Sequence, residues 1–268
     1  MKDKVVIITG ASSGIGKALS FEMAARGARV VIAARSKDKL KEIETELKGR
    51  GASVIAIPTD VSLEEDCRRL VAETVQYFGR IDVLINNAGI SMRALFQQSG
   101  LDVIRRLMEV NFWGTIYCTK FALPYLMQSK GSVVGVSSIA GYKGLPGRSG
   151  YSASKFAIQG FLETLRIENR KTGLHVLIAC PHFTSSNIRN SALASDGTIQ
   201  GESPRDENTM MKPEDVAKKI ANAIVKRKQI LVMTLQGKLI VLLNKLLPFM
   251  MDRIVYNQLA KEPDSPFK

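Results

Sequence analysis

The run Val5-Val6-Ile7-Ile8 is continuous in apolar β-branched residues and ends at Thr9-Gly10. A strand that is apolar on both faces has to be covered on both faces, the situation of a parallel strand inside an α/β sheet. The glycine-rich turn Gly10-Ala11-Ser12-Ser13-Gly14-Ile15-Gly16 comes next and opens a helix. Strand, turn and helix in that order bring backbone amides and the positive end of a helix to one point, where a pyrophosphate can be held. A merely tight strand-to-helix turn is the plainer reading, and the spacing, G-x-x-x-G-x-G, departs from the commoner G-x-G-x-x-G. So early a glycine turn also reads as folded strand rather than secretory signal.

The same alternation continues along the chain. It predicts helices over 14–25, 37–48 and 102–127, one running from Ser62-Leu63-Glu64-Glu65 to Phe78, and one over 151–171. Strands are predicted over 29–34, 54–57, 83–85, 132–137 and 175–179, with 229–233 as the last. Ser62 and Glu65 have the spacing of a capping box, and Gly79 is a natural stop. Pro213 begins a late helix. Right-handed crossovers then give a single-domain α/β fold of the Rossmann type, a doubly wound parallel sheet with helices on both faces. At 268 residues and 45% hydrophobic, the chain is long enough to bury one full core. We assign residues 1–234 to this domain, with loops at 92–96 and about 187–211 beside the pocket, and 235–268 to an apolar or amphipathic extension. The polar segment 187–211 has the make-up of a mobile lid or of plain disorder.

Four polar residues, Asn111, Ser138, Tyr151 and Lys155, stand at intervals that allow them to meet at one carbonyl group. Tyr151 and Lys155 are four apart and share a helix face, where an ammonium would stabilise a phenolate. Each unit by which the phenol's pKa falls corresponds to about 1.4 kcal/mol and brings it nearer to useful acid-base work at neutral pH.

Thr9-Gly10-x-x-x-Gly14-Ile15-Gly16, Asn86-Asn87-Ala88-Gly89, Ser138 and Tyr151-x-x-x-Lys155, in that order, resemble the short-chain dehydrogenase/reductase family over residues 4 to about 190. The resemblance implies an NAD(P)-dependent oxidoreductase acting on alcohols or carbonyls, commonly dimeric or tetrameric. By that resemblance Ser138 hydrogen-bonds the substrate oxygen, Tyr151 exchanges the proton, Lys155 holds the ribose and tunes Tyr151, and Asn111 anchors a water relay. Cofactor contacts fall to Gly10, Ser12, Ser13, Gly14, Ile15 and Gly16 at the phosphates, and to Asn87, Ala88 and Gly89 by the adenosine ribose. Asp60 and Val61 lie near the adenine edge, and Pro181, Phe183, Thr184 and Ser186 by the nicotinamide. His182 stands where family members usually carry glycine, so either the backbone path is altered there or the ring lines the substrate pocket.

Cofactor choice is read at the end of the second strand. An acidic residue about 20 positions beyond the glycine turn binds a ribose 2′-hydroxyl, whereas arginine accommodates a 2′-phosphate. The residue 19 beyond Gly16 (35 − 16 = 19) is Arg35, followed by Ser36 and Lys37 with no carboxylate between 33 and 37. NADP(H) is therefore preferred over NAD(H), with a surface arginine of no ligand role as the alternative.

Composition removes other classes. Cys67, Cys118 and Cys180 are scattered and odd in number, which indicates a reducing compartment, and with only His175 and His182 no metal cage is implied. The net charge of +13 attracts anions in general, but no nucleic-acid motif accompanies it. A hydrolase elbow at Gly135 and Ser137 would need glycine where Ile139 stands. Met92, Leu95, Phe96, Leu145 and Phe183 point to a greasy small-molecule substrate or to plain core. In 235–256 the apolar runs are punctuated by Lys238, Asn244, Lys245 and Asp252, too short for a spanning helix. That segment packs on the domain or a partner subunit, or rests on a membrane surface, with Pro248 ending or kinking a helix. The expected protein is a cytoplasmic or membrane-associated homodimer or homotetramer, with a catalytically inactive NADP(H)-sensing scaffold as the rival.

Overall fold

A computed structural model of the chain describes residues 1–201, 210–261, 265 and 267. Its sheet runs β3-β2-β1-β4-β5-β6-β7, with β1 Val5–Thr9, β2 Arg29–Ala34, β3 Val54–Pro58, β4 Val83–Asn86, β5 Ser132–Val136, β6 His175–Cys180 and β7 Ile230–Val232. Every neighbouring pair is parallel. Successive side chains go to opposite layers. Val6 and Ile8 of β1 join Leu19 of α1 (Gly14–Ala25), Leu40 of α2 (Lys37–Gly49) and Ile220 of α7 (Pro213–Val225) on one face. Val5 and Ile7 join Leu70 of α3 (Glu64–Phe78), Leu126 of α5 (Gly114–Gln128) and Leu162 of α6 (Ser149–Glu168) on the other. Each such side chain contributes about 1.5–3 kcal/mol on burial, and the two layers account for the apolar run that opens the chain. The doubly wound sheet anticipated from the sequence is present.

Strand order reverses at β1, which lies between β2 and β4. The loops leaving the carboxyl ends of β1 and β4 diverge there and leave a crevice, the position at which such sheets receive ligands.

Two local expectations are corrected. The capping box does not form: Leu63 is the residue at the helix start, without a side-chain cap, and Ser62 donates its hydroxyl to Asp60 Oδ1 at 2.7 Å. The reach back to the Asp60 N–H is made by Asp66 Oδ2 at 2.8 Å, not by Glu65. The long helix over 102–127 is also not uniform. It comprises α4 (Leu101–Leu107), a π-helical turn over Met108–Trp113 and α5.

The extension forms α8 (Leu235–Leu246) and α9 (Pro248–Ala260), with Pro248 in the first turn of α9. It packs on the domain: Asn244 Nδ2 donates to the Tyr142 carbonyl at 2.8 Å, and Lys143 pairs with Asp252. Within the loop at 187–211, Leu193 N–H donates to Ser91 O and Arg93 N–H to Leu193 O, both at 2.9 Å. Residues 202–209 of that loop, and 262–264, 266 and 268 of the extension, lie outside the described residues.

Candidate active site

Gly10 turns the chain at the end of β1 with φ +65°. A Cβ on Gly16 would stand 2.1 Å from the Gly10 carbonyl oxygen, and one on Gly10 would stand 2.8 Å from Ala88 Cα. Only glycine lets α1 begin so close to both strands. Asn87 braces the turn by donating from Nδ2 to Thr9 O at 2.9 Å, while the Thr9 hydroxyl accepts from the N–H groups of Asn87 and Ala88 at 3.0 Å. Ser13 makes no side-chain cap on α1, and no acidic residue occupies its first turn. Its first amides and dipole end, beside the crevice-lining Ser12, Ser13, Gly14 and Ile15, have no carboxylate of that first turn to answer them. That donor set fits a pyrophosphate.

The crevice has a volume of about 510 Å³ and also receives Arg35, Ser36, Asp60 and Val61. Of the α2 lysines it is Lys39, not Lys37, that lines it. The Asp60 carboxylate is engaged by its own turn, accepting from the Ser62 N–H at 3.0 Å and hydroxyl at 2.7 Å. Val61 is held from behind, since a Cβ on Gly114 would come within 2.8 Å of its Cγ2, and its carbonyl accepts the Cys67 thiol at 3.4 Å.

At the other end lie Ser138, just past β5, and Tyr151 and Lys155, one turn apart on α6. Ser138 Oγ accepts the Ala140 N–H at 3.1 Å and is hydrogen-bonded to the Tyr151 phenol. Lys155 Nζ is 5.7 Å from the Tyr151 ring centroid and donates to the Val136 carbonyl at 2.8 Å. Here the expected acidic phenol is corrected. Burial pushes the Tyr151 pKa up, and the Ser138 hydrogen bond and the Arg148 and Arg189 charges only oppose it. Burial likewise lowers the Lys155 pKa to about 8. Desolvation penalises the phenolate and the ammonium alike.

Asn111 is fully buried and lies behind the crevice wall, in the π-helical turn. Its amide exchanges two hydrogen bonds with the Ile90 backbone, 2.8 Å to the N–H and 3.0 Å from the carbonyl, and donates to Ser154 Oγ at 2.9 Å. A Cβ on Gly89 would meet Asn111 Oδ1 at 3.2 Å and Lys155 Nζ at 3.6 Å.

Asn87, Ala88 and Gly89 line the crevice, as do Pro181, His182, Phe183, Thr184 and Ser186. His182 is not among the non-glycine residues with positive φ, so the histidine needs no left-handed backbone. Ser186 Cβ would be 3.0 Å from a Cβ on Gly14, which closes this segment over the glycine turn. Of the apolar residues anticipated at the pocket, Leu145 and Phe183 line it, whereas Met92 is buried in the cluster that supports Tyr151 and Phe96 is exposed. Lys39, Arg148, Arg189, Ile240 and Val255 line it unannounced. Arg148 had a signal in its place three residues before Tyr151. The others are brought in by tertiary packing.

The chain matches the family model described as short chain dehydrogenase over residues 4–196. It is 42% identical over 187 residues to 11-beta-hydroxysteroid dehydrogenase 1A of Arabidopsis thaliana, covering 69% of this chain and 53% of that protein. It is 38% identical over 227 residues to 11-beta-hydroxysteroid dehydrogenase-like 4A of the same plant, covering 84% and 74%. The chain thus spans about half the length of the first of these relatives. Among solved structures it resembles an alcohol dehydrogenase from Thermococcus sibiricus complexed with 5-hydroxy-NADP, with TM-score 0.76, 25% identity and coverage of 87% and 96%. It shares its fold with a short chain dehydrogenase/reductase from Burkholderia phymatum in complex with NAD, with TM-score 0.83, 24% identity and coverage of 91% and 93%.

Proposed function

This chain belongs to the short-chain dehydrogenase/reductase family, and from that premise we propose that it is an NADP(H)-dependent oxidoreductase interconverting a carbonyl and a secondary alcohol on a hydrophobic or amphipathic substrate. One observation carries the reading: Ser138, Tyr151 and Lys155 meet in a crevice that starts at the uncapped end of α1. When bound, the nicotinamide supplies the hydride that no side chain can. Ser138 directs its hydroxyl to the substrate oxygen, where charge grows as the carbon is reduced. Tyr151 gives that oxygen its proton. Burial pushes the phenol's pKa up, which suits a proton donor. Lys155, Arg148 and Arg189 supply the positive charge that the resulting phenolate needs.

Arg35 and Lys39 beside the adenosine end support NADP(H), since a guanidinium grips a phosphate with two hydrogen bonds. Apolar lining by Leu145, Phe183, Ile240 and Val255 supports a greasy substrate. The meeting of Ser138, Tyr151 and Lys155 in the crevice argues against the inactive-scaffold alternative, and His182 has no positive φ. In this reading the protein acts in a reducing compartment, in keeping with its three free, buried cysteines. It works there as a homodimer or homotetramer, for which exposed Trp113 and Phe156 offer apolar surface.

The test is absorbance at 340 nm, with NADPH and NADH against steroids, acyl ketones, retinoids and sugars. Turnover is expected with at least one class, faster with NADPH. Tyr151→Phe should bind dinucleotide and lose turnover by at least about a hundredfold. A Tyr151→Phe enzyme as active as the parent would refute the assignment.

A further inference from the structure

Of the twenty exposed large apolar side chains among the described residues, nine belong to α8, α9 and the residue that joins them, Leu247. On α8, Leu235, Leu239, Leu242 and Leu246 succeed each other at steps of four, three and four and so form one stripe along the helix. All four are exposed, and Phe249 at the start of α9 continues them at 86% exposure. Lys238 and Lys245, seven apart, flank the stripe, and Arg253 is exposed on α9. The opposite face of α8 carries Gly237, Ile240 and Asn244 toward the domain. Between 235 and 261 the single acidic residue is Asp252, and it is paired with the buried Lys143. Over 235–261 the outward surface therefore combines contiguous apolar area with cations and no unpaired carboxylate.

We propose that α8 and α9 dock the chain on an anionic lipid bilayer. The leucine stripe and Phe249 enter the acyl boundary, and Lys238, Lys245 and Arg253 sit at headgroup level with their apolar stems beside the stripe. Charge decides between occupants. A second copy set face to face would oppose cations to cations, and the net charge of +13 works in the same direction. No helix among the described residues is long and apolar enough to cross a membrane, so the contact is peripheral. The same two helices roof the crevice through Ile240, Val255 and Leu259. A molecule dissolved in the bilayer thus meets the mouth of the site at the docked surface. That consequence rests on the oxidoreductase reading, whereas the docking does not.

Co-sedimentation of the full chain with phosphatidylcholine vesicles, with and without phosphatidylserine, tests it. Binding is expected to be at least about tenfold tighter with phosphatidylserine and to weaken with added salt. The double variant Leu242→Asp/Leu246→Asp should bind at least about tenfold more weakly while keeping its circular dichroism and unfolding midpoint, because both side chains are exposed. Lys238→Glu/Lys245→Glu should lose the phosphatidylserine preference. Vesicle binding unaffected by the leucine variant overturns the proposal. So does absence of vesicle binding in a chain whose self-association Leu242→Asp abolishes, which would make the face a contact between copies. Tyr151→Phe should bind vesicles like the parent, so failure of the catalytic assignment and failure of docking are seen separately.

Discussion

Asn111 and Ile90 exchange two hydrogen bonds behind the crevice: the Ile90 N–H donates to Asn111 Oδ1 at 2.8 Å, and Asn111 Nδ2 donates to the Ile90 carbonyl at 3.0 Å. Through this pair the π-helical turn on one element fixes the chain leaving β4 on another, directly after Gly89. The residue acts on the site by positioning that loop, and both protons of its amide are already donated, to the Ile90 carbonyl and to Ser154.

Asn111→Leu should therefore cost stability. It leaves the part-buried Ile90 N–H and carbonyl without the Asn111 amide and removes one donor from the Ser154 hydroxyl, which still donates to the Tyr151 carbonyl, a loss of roughly 1–3 kcal/mol. Urea unfolding measures it, and a change below about 0.5 kcal/mol would show that the pair is not structural.

Arg35→Asp is expected to raise the KM for NADPH by about tenfold or more while leaving that for NADH within a few-fold. A charge-assisted hydrogen bond contributes about 1.5–3 kcal/mol, and the introduced carboxylate repels a 2′-phosphate. An unchanged ratio of kcat/KM for the two dinucleotides would remove Arg35 from the site.

Gly16→Ala tests the close approach of α1 to β1. The added methyl would lie 2.1 Å from a backbone oxygen, which cannot rotate away, so the turn must open. Dinucleotide binding, monitored by fluorescence titration, should fall at least about tenfold, with about 1–3 kcal/mol lost in stability. Parental affinity in this variant would mean that the turn has more room than its geometry gives it.

Lys155 sets a pH dependence. Burial lowers its pKa from the ordinary 10.5 to about 8, so the folded chain releases this proton before the unfolded chain does. Between pH 8 and 10.5 the unfolded state holds more protons, and stability due to this residue rises with pH. Below that window both states are charged and the penalty is constant. The unfolding free energy of the parent relative to Lys155→Met should grow by about 3 kcal/mol across the window. A flat difference would mean that the ammonium keeps its water.

Periodicity and punctuation were enough for the sheet and its covering helices, because a chain that alternates apolar strands with short turns and helices has few ways to bury both faces. The glycine turn, Asn87 and the Ser138, Tyr151 and Lys155 set were legible as neighbours for the same reason: each comes after the carboxyl end of a strand. What escaped depends on competition between groups. Ser62 prefers Asp60 to the α3 amides, and spacing carries no sign of that choice. The pKa of Tyr151 turns on how deeply it is buried, which a four-residue interval does not express. Arg189 and Ile240 reach the crevice from segments whose placement is settled only by tertiary packing.

The π-helical turn over Met108–Trp113 holds one residue more than regular winding needs for the same rotation. Deleting a residue there would let the stretch wind as α-helix while α5 keeps its inward row of Thr115, Cys118, Thr119, Ala122 and Leu126. The residues of the turn itself would be re-aimed, and Asn111 would lose Ile90. A one-residue gap would therefore be felt at the site and not in the core.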